Sequence, residues 1–172
     1  MIDKIKVNNI TKVFDSVIAL NNVNIQFEKG KVYALLGHNG AGKTTLIQNI
    51  LGIQKLKKTI DSGEIIYLSN EIKIRGNEYK ESDFCFLDEP FSGLDPVSIF
   101  KLKSFLCDDI EKNRTYIIST HQLAILESIV IPDELMVILL MKDGKLIHQG
   151  TKKNLLESTG EESIEKAYIK LS

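Results

Sequence analysis

A glycine-rich segment at residues 37–45 constrains the fold of this chain more than any other feature. It reads Gly-His-Asn-Gly-Ala-Gly-Lys-Thr-Thr and lies between an apolar run at 32–36 and a helix-compatible stretch at 44–51. Glycines allow the backbone between a strand and a helix to turn with its N–H groups pointing inward, where they can surround a phosphate group. Lys43 can then reach a polyphosphate, and the Thr44 hydroxyl can ligate Mg²⁺. The segment therefore predicts a phosphate-binding loop.

Acidic residues follow a second apolar run, at 84–87, and are predicted to serve the same site. Asp88 and Glu89 are adjacent, so on extended backbone their side chains point in different directions. One carboxylate can join the Mg²⁺ ligands while the other lies beside an attacking water. A third apolar run, at 116–118, ends in a Ser-Thr-His triplet. From that strand end, the His121 side chain can project towards the same site.

The chain resembles the ATP-binding cassette (ABC) ATPases. The motifs GHNGAGKTT, FLDEPFSGLDP and ISTH occur in the family's order, and the tail MKDGKLIHQGT is similar to the family's closing hairpin. The resemblance covers nearly the whole chain and implies ATP and Mg²⁺ as ligands. It implies that Asp88 helps to hold Mg²⁺, that Glu89 is the general base for attack of water on the γ-phosphate, and that His121 positions that phosphate. The catalytic residues are then Glu89, His121 and Lys43, the metal ligands Thr44 and Asp88, and the nucleotide-binding residues Phe14, Gly37, His38, Asn39, Gly40, Ala41, Gly42, Lys43, Thr44 and Thr45.

Several of these residues also have a structural interpretation. Phe14 is expected to stack on adenine, but an aromatic residue in a β-rich segment often belongs to the core. His121 could be a structural or exposed histidine at a strand end. Asp95 matches a family loop that senses the opposite subunit, and it could also cap the helix that begins at Pro96. The His38 side chain is expected to face solvent.

The chain departs from the family between the loop and the carboxylates. Only 42 residues separate Thr45 from Asp88, whereas the family places there a glutamine-bearing loop, a helical subdomain and a Leu-Ser-Gly-Gly-Gln signature. Instead, Ser62–Leu68 resembles the family's strand after the first helix, and Lys73–Ser82 leads almost directly into the next strand. We therefore expect a cassette core whose helical subdomain is absent, with apolar surface exposed where that subdomain would pack. A degenerate cassette, a partner-dependent half-subunit and an incomplete chain would each have such a sequence.

Composition and charge exclude several classes of function. The net charge of −1, from 22 basic and 23 acidic side chains, provides no field that favours nucleic acid. The longest apolar run, Leu135–Met141, has seven residues, whereas a membrane-spanning helix needs roughly twenty. Cys85 and Cys107 have neither the spacing of a metal site nor that of a disulfide framework, which fits a reducing cytosol. We expect a cytoplasmic protein that is peripheral to the membrane through a partner.

The predicted architecture is α/β, with a P-loop NTPase core in a single truncated cassette domain over residues 1–172. Alternating apolar residues at Lys4–Val7 and Val23–Phe27 predict a small N-terminal antiparallel β layer. From Val32 onward predicted strands alternate with predicted helices, which favours a mostly parallel, covered sheet. The predicted helices are Thr44–Leu51, Pro96–Ile110 and Leu123–Ile129, followed by a closing hairpin at Leu135–Met141 and Leu146–Gln149 and by helical tail segments.

Two functions remain open from the sequence. The first is an ATP-hydrolysing subunit of an ABC transporter, of the export or resistance type, that works with a separate transmembrane permease. The second is an ATP-binding module that does not hydrolyse ATP and acts by association with a complete cassette subunit. Glu89 and His121 favour the first, and the absent signature favours the second. The DNA-repair branch of the superfamily is disfavoured by the neutral charge and the lack of long coiled-coil insertions.

The resemblance also bears on turnover. It implies head-to-tail dimers in which the signature of one subunit closes the phosphate loop of the other. Stabilisation of phosphoryl transfer needs preorganised donors around the γ-phosphate and exclusion of water. We therefore expect the chain to bind ATP and Mg²⁺ but to turn over little ATP alone.

Overall fold

The computed structural model describes residues 2–53, 62–69 and 84–171. These residues form two β-sheets with helices packed around them. The strands are β1 (Ile2–Phe14), β2 (Val17–Glu28), β3 (Val32–Leu36), β4 (Ser62–Ser69), β5 (Phe84–Asp88), β6 (Thr115–Thr120), β7 (Met136–Lys142) and β8 (Lys145–Thr151). The helices are α1 (Lys43–Ile50), α2 (Pro96–Ile110), α3 (Leu123–Glu127), α4 (Lys152–Thr159) and α5 (Ile164–Leu171), with a 3-10 turn at Asp133–Leu135.

The N-terminal layer is an antiparallel sheet of three strands in the order β2-β1-β4. In β2, Val23, Ile25 and Phe27 alternate with less buried residues and point into the core, as the period of two in a strand requires. The predicted antiparallel layer is therefore confirmed. Its first two strands are longer than predicted. The pairing of β1 with β2 is irregular at several points, including one at Ile10, and these irregularities let the strands stay paired where the alternation of apolar and polar residues is interrupted.

The second sheet has five strands in the order β5-β6-β3-β7-β8. The first four strands of that order run parallel, and β8 pairs antiparallel with β7. The central strand β3 is buried along its whole length, as expected of an apolar run covered on both faces. The predicted mostly parallel sheet is confirmed, and the carboxyl ends of β5, β6 and β3 lie side by side at one edge.

Alternate residues of β3 contribute to two apolar clusters, one on each face of the parallel sheet. Tyr33 and Leu35 pack in the first cluster with α1 and the antiparallel layer. Ala34 and Leu36 pack in the second cluster, which contains residues of α2, α3, α4 and α5. The parallel sheet is thus the middle layer of the fold, and α1 is fixed by burial of residues such as Leu46.

Helix α2 has the boundaries predicted from the sequence. Asp95 caps it, since its Oδ1 accepts hydrogen bonds from the N–H groups of Val97 at 2.9 Å and Ser98 at 3.1 Å, and a proline at the first helical position needs no N–H partner. The Ser98 hydroxyl, which donates to Asp95, is the main reason that the pKa of this carboxyl is lowered. On its outer side α2 exposes Val97, Phe100 and Phe105.

The connection between the two sheets bears on the predicted absence of a helical subdomain. Strand β4 belongs to the antiparallel layer and β5 to the edge of the parallel sheet, and only the 14 residues 70–83 join them. The predicted link at Lys73–Ser82 lies outside the described residues. Within the described ranges, no helix is long and apolar enough to cross a membrane.

Candidate functional site

The predicted site residues follow three neighbouring strands. The phosphate loop begins after β3, Asp88 ends β5 with Glu89 directly after it, and His121 comes directly after β6. Strand β6 lies between β5 and β3, and Asp88 is in register with Ser119 of β6. Since all three strands are parallel, their carboxyl ends bring the loop, the two carboxylates and the histidine to one edge of the sheet, where ligands bind in open α/β sheets.

Two glycines of the loop are required by close backbone contacts. A Cβ on Gly37 would lie 2.6 Å from the carbonyl oxygen of Met141, and one on Gly42 would lie 2.5 Å from that of Ala19. Gly42 also has a φ of +102° and immediately precedes α1. The first N–H groups of a helix have no acceptor within it and carry partial positive charge. The start of α1, at Lys43, can therefore receive a phosphate group.

Lys43 is the cation at the centre of the loop, and it is buried. Its ammonium donates hydrogen bonds to the carbonyl oxygens of Gly37 at 2.7 Å and His38 at 3.3 Å, and it lies 3.7 Å from Oε1 of Glu89. A buried charge is tolerated only with such partners. Lys43 therefore binds two carbonyl oxygens of the loop and also contacts the carboxylate that follows β5.

Asp88 is held from two sides by hydroxyl groups. The Thr44 hydroxyl donates to its Oδ2 at 2.8 Å, and the Ser119 hydroxyl donates to its Oδ1. The Ser119 hydroxyl also accepts the N–H of Glu89 at 3.0 Å. The polar triplet at 119–121 gave only a weak indication that Ser119 belongs to the site. The contact of Ser119 with Asp88 depends on β6 lying beside β5, and the sequence does not reveal that pairing.

Glu89 and His121 form a pair beside Lys43. Nδ1 of His121 lies 2.9 Å from Oε2 of Glu89, which is ion-pair distance. However, this buried oxygen accepts no hydrogen bond from the described residues. The nitrogen is therefore close to the oxygen without being aligned as a donor to it. Glu89 also has a φ of 49°, a left-handed conformation that is unusual outside glycine and is typical of functional sites. The pair therefore has an unused acceptor next to the loop.

A cavity of about 250 Å³ opens beside the loop. We call it the nucleotide cleft because a nucleotide is the ligand expected there from the sequence. The predicted residues Asn39, Gly40, Gly42, Lys43, Thr44, Thr45 and Glu89 line it, together with Val17, Ile18 and Ala19. The last three come from the start of β2 and were missed by the sequence analysis, because nothing in their pattern distinguishes them from other strand residues. Gly37, His38 and Ala41 belong to the loop but do not line this cleft.

Phe14 lies at the tip of the β1–β2 hairpin, where it pairs with Val17, a residue of the cleft wall. It is 41% exposed, so it is not a core residue. The ammonium of Lys12 lies 5.3 Å from the centre of its ring, which is within cation–π range. Phe14 does not itself line the cleft, whereas its strand partner Val17 does.

The closing hairpin, formed by β7 and β8, is hydrogen-bonded to the phosphate loop. The N–H of Gly144, in the β7–β8 turn, donates to the carbonyl oxygen of Ala41 at 3.1 Å, and its own carbonyl oxygen accepts the N–H of Asn21 at 2.8 Å. Asp143 and Gly144 both have positive φ, as a two-residue hairpin turn of type I′ requires. His38 is half-exposed, as predicted, with Nε2 3.7 Å from Oδ1 of Asp143.

The residues at this edge suit ATP with Mg²⁺. The loop and Lys43 provide donors for phosphate oxygens, and Thr44 and Asp88 provide the hard oxygen ligands that Mg²⁺ prefers. In the described ranges no group of three or more His, Cys, Asp or Glu side chains is placed to hold a metal ion. Mg²⁺ commonly binds through one or two protein ligands together with substrate phosphates and water, so a larger group of ligands is not required for Thr44 and Asp88 to fit it.

Comparison with known proteins identifies the family. Residues 20–88 match the family model of the ABC transporter. The chain is 30% identical over 207 aligned positions to an uncharacterised ABC transporter ATP-binding protein of Methanocaldococcus jannaschii, with 86% of this chain and 77% of that protein covered. It is 24% identical to the bacitracin transport ATP-binding protein of Enterococcus faecalis, with 84% of this chain and 68% of that protein covered. A shorter match, 32% identical over 59% of this chain and 29% of the relative, is to the sulfate/thiosulfate import ATP-binding protein of Pseudomonas putida.

Solved structures agree with the fold. The structure of an ATP-binding subunit of an ABC transporter superposes with a TM-score of 0.76 at 19% identity, over 97% of this chain and 98% of that chain. A nucleotide-free ATP-binding cassette of an ABC transporter superposes with a TM-score of 0.74 at 17% identity, over 98% of this chain and 99% of that chain. At these identities the likeness establishes the fold, a P-loop α/β domain. Together with the sequence relatives, it shows that the chain belongs to the ATP-binding proteins of ABC transporters.

Proposed function

We propose that the chain binds ATP and Mg²⁺ in the nucleotide cleft and that it hydrolyses ATP when a complete cassette subunit closes the site. The observation that carries this proposal is the arrangement around Lys43: its ammonium is enclosed by the phosphate loop, 3.7 Å from Glu89, while Glu89 contacts His121. A structural loop alone would need neither the second carboxylate nor the histidine.

Binding would use the loop side of the cleft. The N–H groups at the start of α1 and the Lys43 ammonium would hold the β- and γ-phosphates, and Phe14 would stack on the adenine. Thr44 and Asp88 would hold Mg²⁺, which supplies neutralisation of the phosphate charge. The hydroxyl of Ser119 keeps the Asp88 carboxylate turned towards Thr44.

Hydrolysis would use the other side of the cleft. Glu89 would accept a proton from water as the water oxygen bonds to the γ-phosphorus and the bond from that phosphorus to the bridging oxygen breaks. The orphaned Oε2 of Glu89 is a buried acceptor suited to that proton or to the water that carries it. His121 would hold the Glu89 carboxylate in place.

A partner is proposed because one wall of the site has no counterpart in this sequence. The alignment with the M. jannaschii relative extends over 207 positions, more than the 172 residues of this chain. That relative therefore has residues that this chain lacks, in agreement with the short connection between β4 and β5. Without donors and water exclusion on that side, the site should lose much of its rate.

The transport role follows from the family and its relatives. We propose a transmembrane permease as the membrane partner, with the chain bound at the cytoplasmic side. For direction, the bacitracin transport relative aligns over 84% of the chain and the sulfate/thiosulfate import relative over 59%. We propose the export or resistance type, since the relative that aligns over more of the chain is not one that is named for import.

A second candidate function is an ATP-binding module that never hydrolyses ATP and acts only by association. The lack of any Leu-Ser-Gly-Gly-Gln string in the sequence favours it. The two candidates differ in what a partner restores: the first requires Glu89-dependent turnover in the complex, and the second does not.

A mixed-subunit ATPase assay tests the proposal. The chain is combined with a cassette subunit that carries the signature but whose own catalytic carboxylate is replaced by the amide. We expect turnover that neither protein shows alone and that disappears with Glu89→Gln in this chain. Binding of ATP without turnover in every such combination would reject the first candidate in favour of the second.

A further inference from the structure

We propose that Tyr168, on the C-terminal helix α5, is a positioning residue that confines the imidazole of His121 against Glu89. The inference rests on the proposed hydrolytic role of Glu89 and His121. It assigns to the C-terminal helix a direct influence on the reaction, although this helix follows all the motifs of the phosphate site.

A second cavity, of about 220 Å³, carries the inference. It is lined by Gly37, His38, His121, Leu123 and Tyr168, and none of these residues lines the nucleotide cleft. Glu89 lines the cleft and His121 lines the second cavity, yet their side chains are 2.9 Å apart. The two cavities therefore approach each other at the Glu89–His121 contact.

His121 needs a wall on the side of the second cavity. Half of its side chain is exposed, and its approach to Oε2 of Glu89 lacks the alignment of a hydrogen bond. An exposed side chain that is not locked by packing samples several rotamers, and ordering it costs free energy. The other large side chains of this cavity are His38, which is half-exposed, and Leu123 and Tyr168. Leu123 and Tyr168 limit how far the imidazole can turn away from Glu89.

The position of Tyr168 is fixed by the packing of α5. Ile164 and Ala167 are fully buried, and Tyr168 and Leu171 lie on the same side of the helix at the spacing of successive turns. Ile164 and Ala167 belong to the second apolar cluster, and Tyr168 and Leu171 pack against it, as Leu123 does.

Helix α5 is also joined directly to the element that follows His121. Oε1 of Glu127, in α3, accepts the N–H of Ile164 at 2.6 Å, and α3 begins two residues after His121. The helix that follows His121 is therefore tied by a hydrogen bond to α5, the helix that carries Tyr168.

Three variants test the proposal in the mixed-subunit assay. Tyr168→Ala removes the wall, Tyr168→Phe keeps the ring, and Ile169→Ala is the matched control because Ile169 is 68% exposed on the same helix. We expect Tyr168→Ala to lower kcat about tenfold with KM for ATP within about twofold, since misplacement of a catalytic group is felt in the chemical step. Tyr168→Phe should restore kcat and Ile169→Ala should leave it unchanged. An unchanged kcat in a folded Tyr168→Ala protein would overturn the proposal.

Histidine NMR provides a readout that does not depend on turnover. The chain has three histidines, so the His121 imidazole signal can be assigned with His121→Gln, and His148 on β8 serves as the internal reference. We expect Tyr168→Ala to shift or broaden the His121 signal, and Tyr168→Phe to preserve it. Tyr168→Leu, which keeps more of the apolar packing, should give the same change if the alanine variant does not fold. An unmoved His121 signal would overturn the proposal. A moved signal without turnover in any protein would support positioning and reject the hydrolytic role instead.

Discussion

Thr44 and Asp88 meet at the start of α1, where the threonine hydroxyl donates a hydrogen bond to the carboxylate across 2.8 Å. The two side chains come from elements far apart in the sequence, and they bring together two oxygen atoms of the kind that Mg²⁺ prefers. This contact predicts that metal binding depends on the Thr44 hydroxyl. Thr44→Val should weaken ATP binding in the presence of Mg²⁺ by roughly tenfold, the effect of losing one charge-assisted interaction. Calorimetric titration with ATP measures the change.

Thr44→Ser is the matched control for this prediction, because it keeps the hydroxyl and removes only the methyl group. Its affinity for ATP with Mg²⁺ should equal that of the native chain. In excess EDTA the valine and serine variants should bind ATP alike. If Thr44→Val binds ATP in the presence of Mg²⁺ as tightly as the native chain does, the Thr44 hydroxyl is not a ligand of the metal.

The Ser119 hydroxyl donates a hydrogen bond to the same carboxylate. Its removal should lower both the stability of the fold and the affinity for ATP with Mg²⁺. Ser119→Ala removes a buried donor to Asp88 and one of the acceptors of the Glu89 N–H. We expect the free energy of unfolding to fall by about 1 kcal/mol and Mg²⁺-dependent ATP binding to weaken. Urea unfolding followed by circular dichroism measures the first effect. Ser128→Ala is the control, since the Ser128 hydroxyl also makes hydrogen bonds but is exposed, and equal losses in both variants would contradict a special role for Ser119.

The left-handed backbone of Glu89 makes a prediction about stability that is separate from catalysis. A residue with a Cβ at a φ of 49° is strained, whereas glycine is not. Glu89→Gly and Glu89→Gln both remove the charge, but only the first removes the strain. The glycine variant should therefore be more stable than the glutamine variant by about 1 kcal/mol, and both should be inactive in the mixed-subunit assay. A glutamine variant that is the more stable of the two would show that this backbone is not strained.

Asp109 predicts a dependence of stability on acid pH. Its buried carboxylate accepts a hydrogen bond from Tyr116 at 2.5 Å and lies 3.2 Å from the side chains of Lys112 and Arg114. The Tyr116 hydroxyl is the main reason that its pKa is lowered from 3.8. A lowered pKa means that the stabilisation is complete above pH 3.8 and is lost as the pH falls through the folded-state value. Asp109→Asn should therefore be less stable than the native chain at pH 7, and the difference should narrow below pH 3.8. A constant difference across that range would contradict the assignment.

The phosphate loop and helix α2 could be predicted from the sequence because their signals are local. Glycines at 37, 40 and 42 allow the turn, and Asp95 followed by proline starts α2 at the predicted residue. Apolar runs likewise predicted the strands that end at Asp88 and before His121. These features depend on neighbours in the chain, so their positions follow from residue type and spacing.

Other parts of the site depend on which strands become neighbours, and the sequence does not reveal this. The hydrogen bonds of Ser119 exist because β6 inserts between β3 and β5. Val17 and Ile18 line the cleft because the β1–β2 hairpin folds over the loop, and Gly144 supports Ala41 because the β7–β8 turn returns to it. Each contact joins segments whose pairing is set by packing of the whole core.

Steady-state ATPase activity of the purified chain, measured beside Glu89→Gln at a concentration of ATP and Mg²⁺ that saturates binding, tests the account most directly. We predict that both proteins bind ATP with Mg²⁺ and that the native chain shows no turnover above the variant, because one wall of the site must come from a partner. Clear turnover that is lost in Glu89→Gln would contradict the account, since it would mean that this chain closes its own site.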